Sequence, residues 1–189
     1  MGRYRAITMG VSTGGMAVLR ALLGALPADF PLPVLAVQHV SPLSGGELAL
    51  LLDETCAIRV KEADDQEVPT GGTVYLAPAN YHLLLEPEGS LALSLDPPVN
   101  FSRPSIDVLF ESAAEALGDA LIGVVLSGVG SDGSRGLRCI KERGGTAVVQ
   151  DPADAIAPGM PLNALKLVTP DYRLTLAQMP QLFITLSEQ

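Results

Sequence analysis

The sequence predicts a doubly wound α/β fold: a mostly parallel sheet with helices on both faces and a small antiparallel strand insertion. Short, continuous apolar runs alternate with amphipathic segments in both halves of the chain, a pattern typical of parallel strands covered on both faces. Glycine-rich turns follow the first of these runs and also the most apolar one. The 189 residues, of which 48% are hydrophobic, suffice for one domain over 1–189 with a substantial core.

The first half begins as strand, helix, strand, and then becomes polar and alternating. The first predicted elements are a strand at 6–9, a helix at about 16–26, a strand at 33–38 and a short helix at 46–52. Four short strands follow, at 58–60, 74–77, 82–85 and 91–95. Because glycine-containing turns separate them at Gly71-Gly72 and Glu88-Gly89, these strands are expected to form a small antiparallel addition to the main sheet.

The second half returns to the alternation of helix and strand. Its predicted elements are a helix at 105–117, a strand at 121–126, a helix at about 134–142 and a strand at 146–150. The first of these helices carries its apolar residues on one face. The last predicted element is a helix over 174–186, interrupted near Pro180.

The turn after the first strand carries the pattern G-x-S-x-G, from Gly10 to Gly14. At a strand-to-helix turn this pattern is typical of a nucleophile elbow, in which glycines on both sides of the serine permit a sharp turn. Ser12 is then the candidate nucleophile. The amide of Thr13, at the positive end of the following helix, is a candidate oxyanion donor. The alternative is an ordinary loop in which Ser12 or Thr13 caps the helix.

A serine nucleophile needs a base within hydrogen-bond reach, and the chain has two histidines. His39 directly follows the strand at 33–38. Because active sites in open parallel sheets form at the carboxyl ends of the strands, His39 is the candidate base. His82 begins a strand of the insertion, so we expect it to be a partly exposed structural residue.

The third member should be a carboxylate at another carboxyl strand end. Asp132 fits, because it lies in the glycine-lined loop after the most apolar strand, and that loop can also bring the amide of Val129 or Gly130 close to Ser12. Asp151, which follows the strand at 146–150, is the competing acid. Asp132 could also be simply the N-cap of the helix that follows it. The order Ser, His, Asp differs from the order in α/β-hydrolases and argues against membership of that family.

Four motifs, taken together with this order, resemble the catalytic domain of the bacterial chemotaxis receptor methylesterase family, CheB. They are Gly10-Val11-Ser12-Thr13-Gly14-Gly15, Gln38-His39-Val40, the segment from Pro98 to Phe110, and Leu126-Ser127-Gly128-Val129-Gly130-Ser131-Asp132-Gly133. The stretches Ala77–His82 and Gly159-Met160-Pro161 are also similar to that family. The resemblance covers nearly the whole chain.

The resemblance implies a doubly wound fold and hydrolysis of γ-glutamyl methyl esters on the cytoplasmic helices of chemoreceptors, with release of methanol. It also implies deamidation of particular receptor glutamines. Ser12 matches the nucleophile, His39 the base and Asp132 the orienting acid, while Thr13 and Val129 match positions near the oxyanion. The family usually has Met at the position of Val129, and Asn is commoner than Ser131. We expect no cofactor and no metal.

The family often carries a phosphorylatable receiver domain before the catalytic domain. The first predicted strand begins a few residues after Met1, so we expect neither a receiver domain nor a signal peptide here. A separate receiver protein is a candidate partner besides the methylated receptors.

Composition excludes several classes of function. The net charge of −9 argues against nucleic-acid binding and against anionic membrane surfaces. Cys56 and Cys139 show no spacing typical of a metal site or a disulfide framework. No apolar run is long enough for membrane insertion, so a cytoplasmic protein is expected.

Two other functions remain open on the sequence. The loop Gly128–Gly133 also satisfies G-x-G-x-x-G and is followed by Asp151, as in dinucleotide-binding oxidoreductases. Against this, Asp132 would repel the pyrophosphate, and Ser12 and His39 would have no role. The second alternative is a non-catalytic docking module of the same fold.

Overall fold

The computed structural model describes residues 2–189, which form a seven-stranded parallel sheet, a separate two-stranded antiparallel sheet and six α-helices. The strands are β1 (Ala6–Val11), β2 (Val34–Gln38), β3 (Arg59–Glu62), β4 (Thr73–Leu76), β5 (His82–Leu85), β6 (Leu91–Ser94), β7 (Leu121–Val125), β8 (Thr146–Gln150) and β9 (Tyr172–Leu174). The helices are α1 (Gly15–Leu23), α2 (Glu47–Thr55), α3 (Ile106–Leu117), α4 (Ser134–Glu142), α5 (Gly159–Leu167) and α6 (Met179–Ser187).

The strand order of the large sheet is β3-β4-β2-β1-β7-β8-β9, and all of its pairs are parallel. The next strand in sequence, β2, pairs with one side of β1, and β7 later pairs with the other side of β1. The order therefore reverses between β1 and β7, which is the topological switch point where ligands bind in open α/β sheets.

Each face of the large sheet is covered by its own hydrophobic core. Helices α1, α2 and α6 contribute to one core, which includes Leu19, Leu52 and Phe183. Helices α3, α4 and α5 contribute to the other, together with the β5–β6 hairpin, which supplies Leu83 and Leu91. The predicted doubly wound architecture is confirmed.

The antiparallel insertion is smaller than the sequence predicted. The strands expected at 58–60 and 74–77 are β3 and β4, which pair in parallel within the large sheet, and only β5 and β6 form a hairpin. The Gly71-Gly72 pair is not a hairpin turn. Gly72 donates its N–H to Phe30 O at 2.7 Å, and a side chain on Gly71 would overlap the backbone of Pro31. These glycines therefore permit close packing against the loop before β2.

The carboxyl-terminal third contains two elements that the sequence did not predict, α5 and β9. The expected helix over 174–186 is wrong at its start, because Leu174 ends β9 and a short 3₁₀ turn at Leu176–Gln178 precedes α6. Pro180 lies in the first turn of α6 and does not interrupt it. A proline is tolerated there because the first amides of a helix have no intrahelical partner. Within residues 2–189, no helix combines the length and apolar character needed to cross a membrane.

Candidate active site

Ser12 is the first residue after β1, and the two glycines around it act for different reasons. Gly10 still belongs to β1, and a side chain there would overlap the side chain of Ile106 at the start of α3. Gly14 is the N-cap of α1 and has φ 81°, in the left-handed region that favours glycine. The expectation that both glycines relieve one sharp turn is therefore wrong for Gly10, which is needed for the close approach of α3.

Backbone hydrogen bonds fix the elbow to the neighbouring strand ends. Ser12 donates its N–H to Ser127 O at 2.9 Å, and His39 donates its N–H to Val11 O at 3.1 Å. Ser127 Oγ in turn donates to Thr13 O at 2.8 Å. The residues following β1, β2 and β7 are thus tied together at the switch point. Ser12 Oγ itself forms no hydrogen bond within residues 2–189.

The side chains of His39 and Asp132 meet across this edge of the sheet. Asp132 Oδ2 lies 2.7 Å from His39 Nε2, with side-chain exposures of 4% for Asp132 and 18% for His39. An ionised carboxylate can only accept, so Nε2 carries the proton and Nδ1 is left as the nitrogen that can accept another. Asp151, the competing acid, instead binds Arg173 at 2.9 Å on the surface.

Asp132 accepts six hydrogen bonds within 3.1 Å, more than any other side chain of the site. Besides His39, the donors are Asn100 Nδ2, Ser105 Oγ and the amides of Ile106, Asp107 and Gly133. Two of these amides belong to the first turn of α3, so the carboxylate caps the positive end of that helix. The alternative in which Asp132 caps the following helix is not observed, because the N-cap of α4 is Gly133.

This environment keeps Asp132 ionised. Burial is the largest influence on its pKa and raises it, but the hydrogen bonds from His39, Ile106 N, Asn100 and Asp107 N together outweigh burial and lower the pKa below its ordinary value. Asp132 therefore remains a carboxylate, the form that fixes the proton of His39 on Nε2.

Asn100 is a site residue that the sequence analysis quoted within a motif without giving it a role. Its amide lies 2.8 Å from both Asp132 Oδ1 and Asp107 Oδ2 and so bridges two carboxylates. The pKa of Asp107 is raised, first by burial and also by the charge of Asp132. Asn100 reaches both groups from a left-handed conformation with φ 53°, which asparagine tolerates better than most residues.

His82 is a structural residue, as expected, but it is buried and not partly exposed. Only 1% of its surface is accessible, and Nδ1 accepts a hydrogen bond from Ser105 N at 3.1 Å. Nε2 therefore carries the proton and donates it to Pro97 O at 3.1 Å. By binding both Pro97 and Ser105, His82 fixes the position of the chain at the start of α3, where Ser105 Oγ and the first α3 amides donate to Asp132.

Backbone amides near Ser12 are available for an oxyanion. Within residues 2–189, the amides of Thr13 and Val129 have no hydrogen-bond partner. The amide of Gly128 is already used, because it donates to Ala157 O at 2.9 Å. Helix α5 supports this loop: Met160 donates its N–H to Gly128 O at 2.8 Å, and Asn163 Nδ2 donates to Gly130 O at 2.7 Å.

The geometry of the 128–133 loop disfavours the dinucleotide-binding alternative. A side chain on Gly128 would overlap Met160 and lie 2.9 Å from Ser12 Cβ, so this glycine makes room for the elbow. The carboxylate of Asp132, which stays ionised, lies in the loop directly before α4 and would repel a pyrophosphate at the N-terminus of that helix. Within the described residues, no group of three or more His, Cys, Asp or Glu side chains has the arrangement of a metal site.

Gln38 connects the candidate nucleophile and the candidate base. Its Nε2 donates to Ser12 O at 2.9 Å and to His39 O at 2.8 Å, while its Oε1 is buried without a partner within residues 2–189. A side chain at position 15 would overlap Gln38 Oε1, so a glycine is needed there to leave room for the Gln38 amide.

A double-mutant cycle tests this packing. We expect Gly15→Ala to lower the free energy of unfolding by about 1–3 kcal/mol, because the new methyl group overpacks the Gln38 amide. In a Gln38→Ala background the space is open, and the same change should be neutral or stabilising by a few tenths of a kcal/mol, because alanine favours the helix. Urea unfolding of the four proteins measures the coupling between the two positions. If the changes in unfolding free energy of the two single variants simply add in the double variant, a side chain at position 15 does not overlap the Gln38 amide.

A cleft of about 300 Å³ opens beside the His39–Asp132 pair and is also lined by Asn100, Phe101 and Val129. The sequence profile of the CheB methylesterase family matches residues 7–183 of the chain.

A Leptospira interrogans protein, whose name provisionally describes a protein-glutamate methylesterase/protein-glutamine glutaminase, is 48% identical over 185 residues, covering 98% of this chain and 96% of that protein. Protein-glutamate methylesterase FrzG of Myxococcus xanthus is 41% identical over 162 residues, which cover 86% of this chain and 48% of FrzG. The crystal structure of the Thermotoga maritima CheB methylesterase catalytic domain matches with a TM-score of 0.92 at 35% identity, covering 97% of this chain and 98% of that domain. The chain belongs to the CheB methylesterase family.

Proposed function

We propose that residues 1–189 form one catalytic domain in which Ser12, His39 and Asp132 hydrolyse γ-glutamyl methyl esters of a protein substrate. The observation that carries this proposal is the 2.7 Å hydrogen bond between His39 and Asp132 at the switch point where the elbow presents Ser12. Family membership supports the class of reaction, since the relatives are named as methylesterases that act on protein glutamate.

The reaction proceeds in two steps. Ser12 Oγ attacks the ester carbonyl carbon while His39 accepts the hydroxyl proton, and the tetrahedral intermediate expels methoxide, which takes the proton from His39 and leaves as methanol. A water molecule then attacks the acyl-enzyme, again with His39 as base. The bond to Ser12 breaks, the serine regains its proton and a glutamate carboxylate is released. Asp132 keeps the imidazole in the required tautomer throughout.

The same site accounts for a glutaminase reaction. A glutamine side chain differs from a glutamyl methyl ester only in its leaving group, so attack by Ser12 gives the same acyl-enzyme and releases ammonia. The relatives named as both methylesterase and glutaminase fit this chemistry. We take the substrates to be cytoplasmic helices of chemoreceptors, which places the protein in the cytoplasm. A separate receiver protein is a further candidate partner.

The free amides of Thr13 and Val129 are proposed to bind the oxyanion. We expect Val129→Pro, which removes one donor, to lower kcat by about 10²–10³-fold. Val129→Met keeps the amide, so its kcat should stay within a few-fold of the unmodified value. Steady-state hydrolysis of a short glutamyl methyl ester measures both. A large loss in Val129→Met would show that the side chain, and not the amide, matters.

Methanol release from methylated chemoreceptor membranes tests the function. The purified chain should release methanol and leave glutamate, while Ser12→Ala should release none above background. A preparation that binds the membranes without releasing methanol would favour the non-catalytic docking module. Hydrolysis of the short ester without any methanol from the receptors would preserve the esterase and refute the substrate.

A further inference from the structure

The turn at Val99–Ser102 beside the cleft holds two successive residues in the left-handed region. Val99 and Ser102 exchange two backbone hydrogen bonds at 3.0 Å, and the residues between them have φ 53° at Asn100 and φ 63° at Phe101. Such a turn favours glycine at its second central position, where this chain has a phenylalanine. Phe101 therefore occupies a conformation that costs free energy.

Within residues 2–189, no packing of the Phe101 side chain offsets that cost. The left-handed conformation of Asn100 is explained by the hydrogen bonds of its side chain with Asp107 and Asp132. Phe101, in contrast, is fully exposed, with a relative accessibility of 104%. A large aromatic side chain that is both strained and solvated adds nothing to the core, and strained residues concentrate at functional sites.

Phe101 is part of an apolar rim around the candidate catalytic residues, which we define as Phe101, Val129 and Ile156. Phe101 and Val129 line the same cleft as His39, and Val129 is 69% exposed. Ile156, 61% exposed, lies against Gly14 of the elbow.

The charges around the cleft indicate the chemistry of its partner. Among residues 2–189, no Lys or Arg lines the cleft, and the one carboxylate that does, that of Asp132, is buried and fully hydrogen-bonded. The rim therefore suits an uncharged, apolar surface, because the cleft has no cationic side chain that could pair with an acidic residue of the partner.

We propose that the apolar rim docks the apolar stripe of the substrate helix on either side of the glutamyl ester, with Phe101 as its main anchor. This inference rests on the proposed function, in which the ester is presented by a helix. Residues three and four positions from an esterified glutamate lie on the same helix face, so they meet the rim when the ester enters the cleft. A short ester has no such residues and cannot use the rim.

Phe101→Gly separates this role from a structural one. The variant should unfold at the same or a higher urea concentration, because glycine fits the left-handed turn. For methylated receptor membranes its kcat/KM should fall about tenfold or more relative to kcat/KM for the γ-methyl ester of an N-acetyl-glutamyl amide, mainly through KM. Phe101→Leu should recover much of the ratio. Val68→Ser removes a residue that is 66% exposed near Pro33, at the other edge of the sheet, and should leave the ratio unchanged.

Equal losses on both esters in Phe101→Gly would overturn the inference, because they would mean that Phe101 only positions Asn100. Unchanged kcat/KM values for both esters would overturn it as well, because Phe101 would then contribute nothing to docking. A failure of the unmodified chain to release methanol from receptors would instead refute the proposed function, and this inference with it.

Discussion

Replacing Ser12 or His39 with alanine is expected to lower kcat by about 10⁶-fold, and replacing both should be little worse than either single change. The reason is that the serine hydroxyl is a poor nucleophile until His39 accepts its proton, while His39 has nothing to activate once the hydroxyl is gone. Methanol release from a glutamyl methyl ester, followed under saturating substrate, measures all three variants.

The residual rate in these variants should come from the amides of Thr13 and Val129, which remain in place. Ser187→Ala, at the end of α6 and far from the switch point, is the matched control and should keep full activity. Losses that multiply in the double variant would mean that Ser12 and His39 act independently, which would contradict a shared catalytic role.

The positions of Ser12 and His39 could be predicted because they depend on local patterns. Each follows a continuous apolar run, and parallel strands bring their carboxyl ends to one edge of the sheet. Asp132 could be placed at the same edge for the same reason. Its pairing with His39, in preference to Asp151, depended on the tight glycine-lined loop that precedes α4.

The groups that hold Asp132 could not be predicted in this way. Asn100 and the amide of Asp107 lie 32 and 25 residues from it along the chain, and they reach it only because α3 packs beside α4. The contact depends on tertiary packing, which hydrophobic periodicity does not encode. A helix that begins directly after Ser105 was predicted nearly to the residue, yet its use as an anion-binding terminus was not.

The errors in the strand insertion have a related cause. Gly71-Gly72 is a local signal for a turn, whereas β4 lies between β2, which is far away in sequence, and β3, and it pairs in parallel with both. The local signal suggested a hairpin, and the non-local pairing decided the structure. Similarly, α5 begins with Gly159 because a side chain there would lie 3.1 Å from Gly128 O, a contact that only the folded chain reveals.

Asp132→Asn is the second change with a large expected effect, a fall in kcat of about 10⁴-fold. An asparagine can present its amide hydrogens to His39 Nε2, which would move the imidazole proton to Nδ1 and remove the base that Ser12 needs. The short ester is the appropriate substrate, because docking of a receptor then plays no part.

The same variant should also lose stability in a pH-dependent manner. Because hydrogen bonds lower the pKa of Asp132 in the fold, ionisation of this group stabilises the folded state. That contribution is fully present above the unfolded pKa of about 4 and is lost as the pH falls through the lowered folded value. The difference in unfolding free energy between the unmodified protein and Asp132→Asn should therefore be on the order of 3 kcal/mol near neutral pH and shrink in acid.

Asp151→Asn is the control that separates the two candidate acids. Asp151 binds Arg173 on the surface and has no contact with His39, so this change should leave kcat within about twofold. If Asp151→Asn instead abolished activity while Asp132→Asn did not, the hydrogen bond between His39 and Asp132 would be structural and the acid would have been assigned wrongly. A loss in Asp132→Asn that tracked only its stability would likewise refute the tautomer argument, because a misoriented but folded imidazole must lower kcat at temperatures far below unfolding.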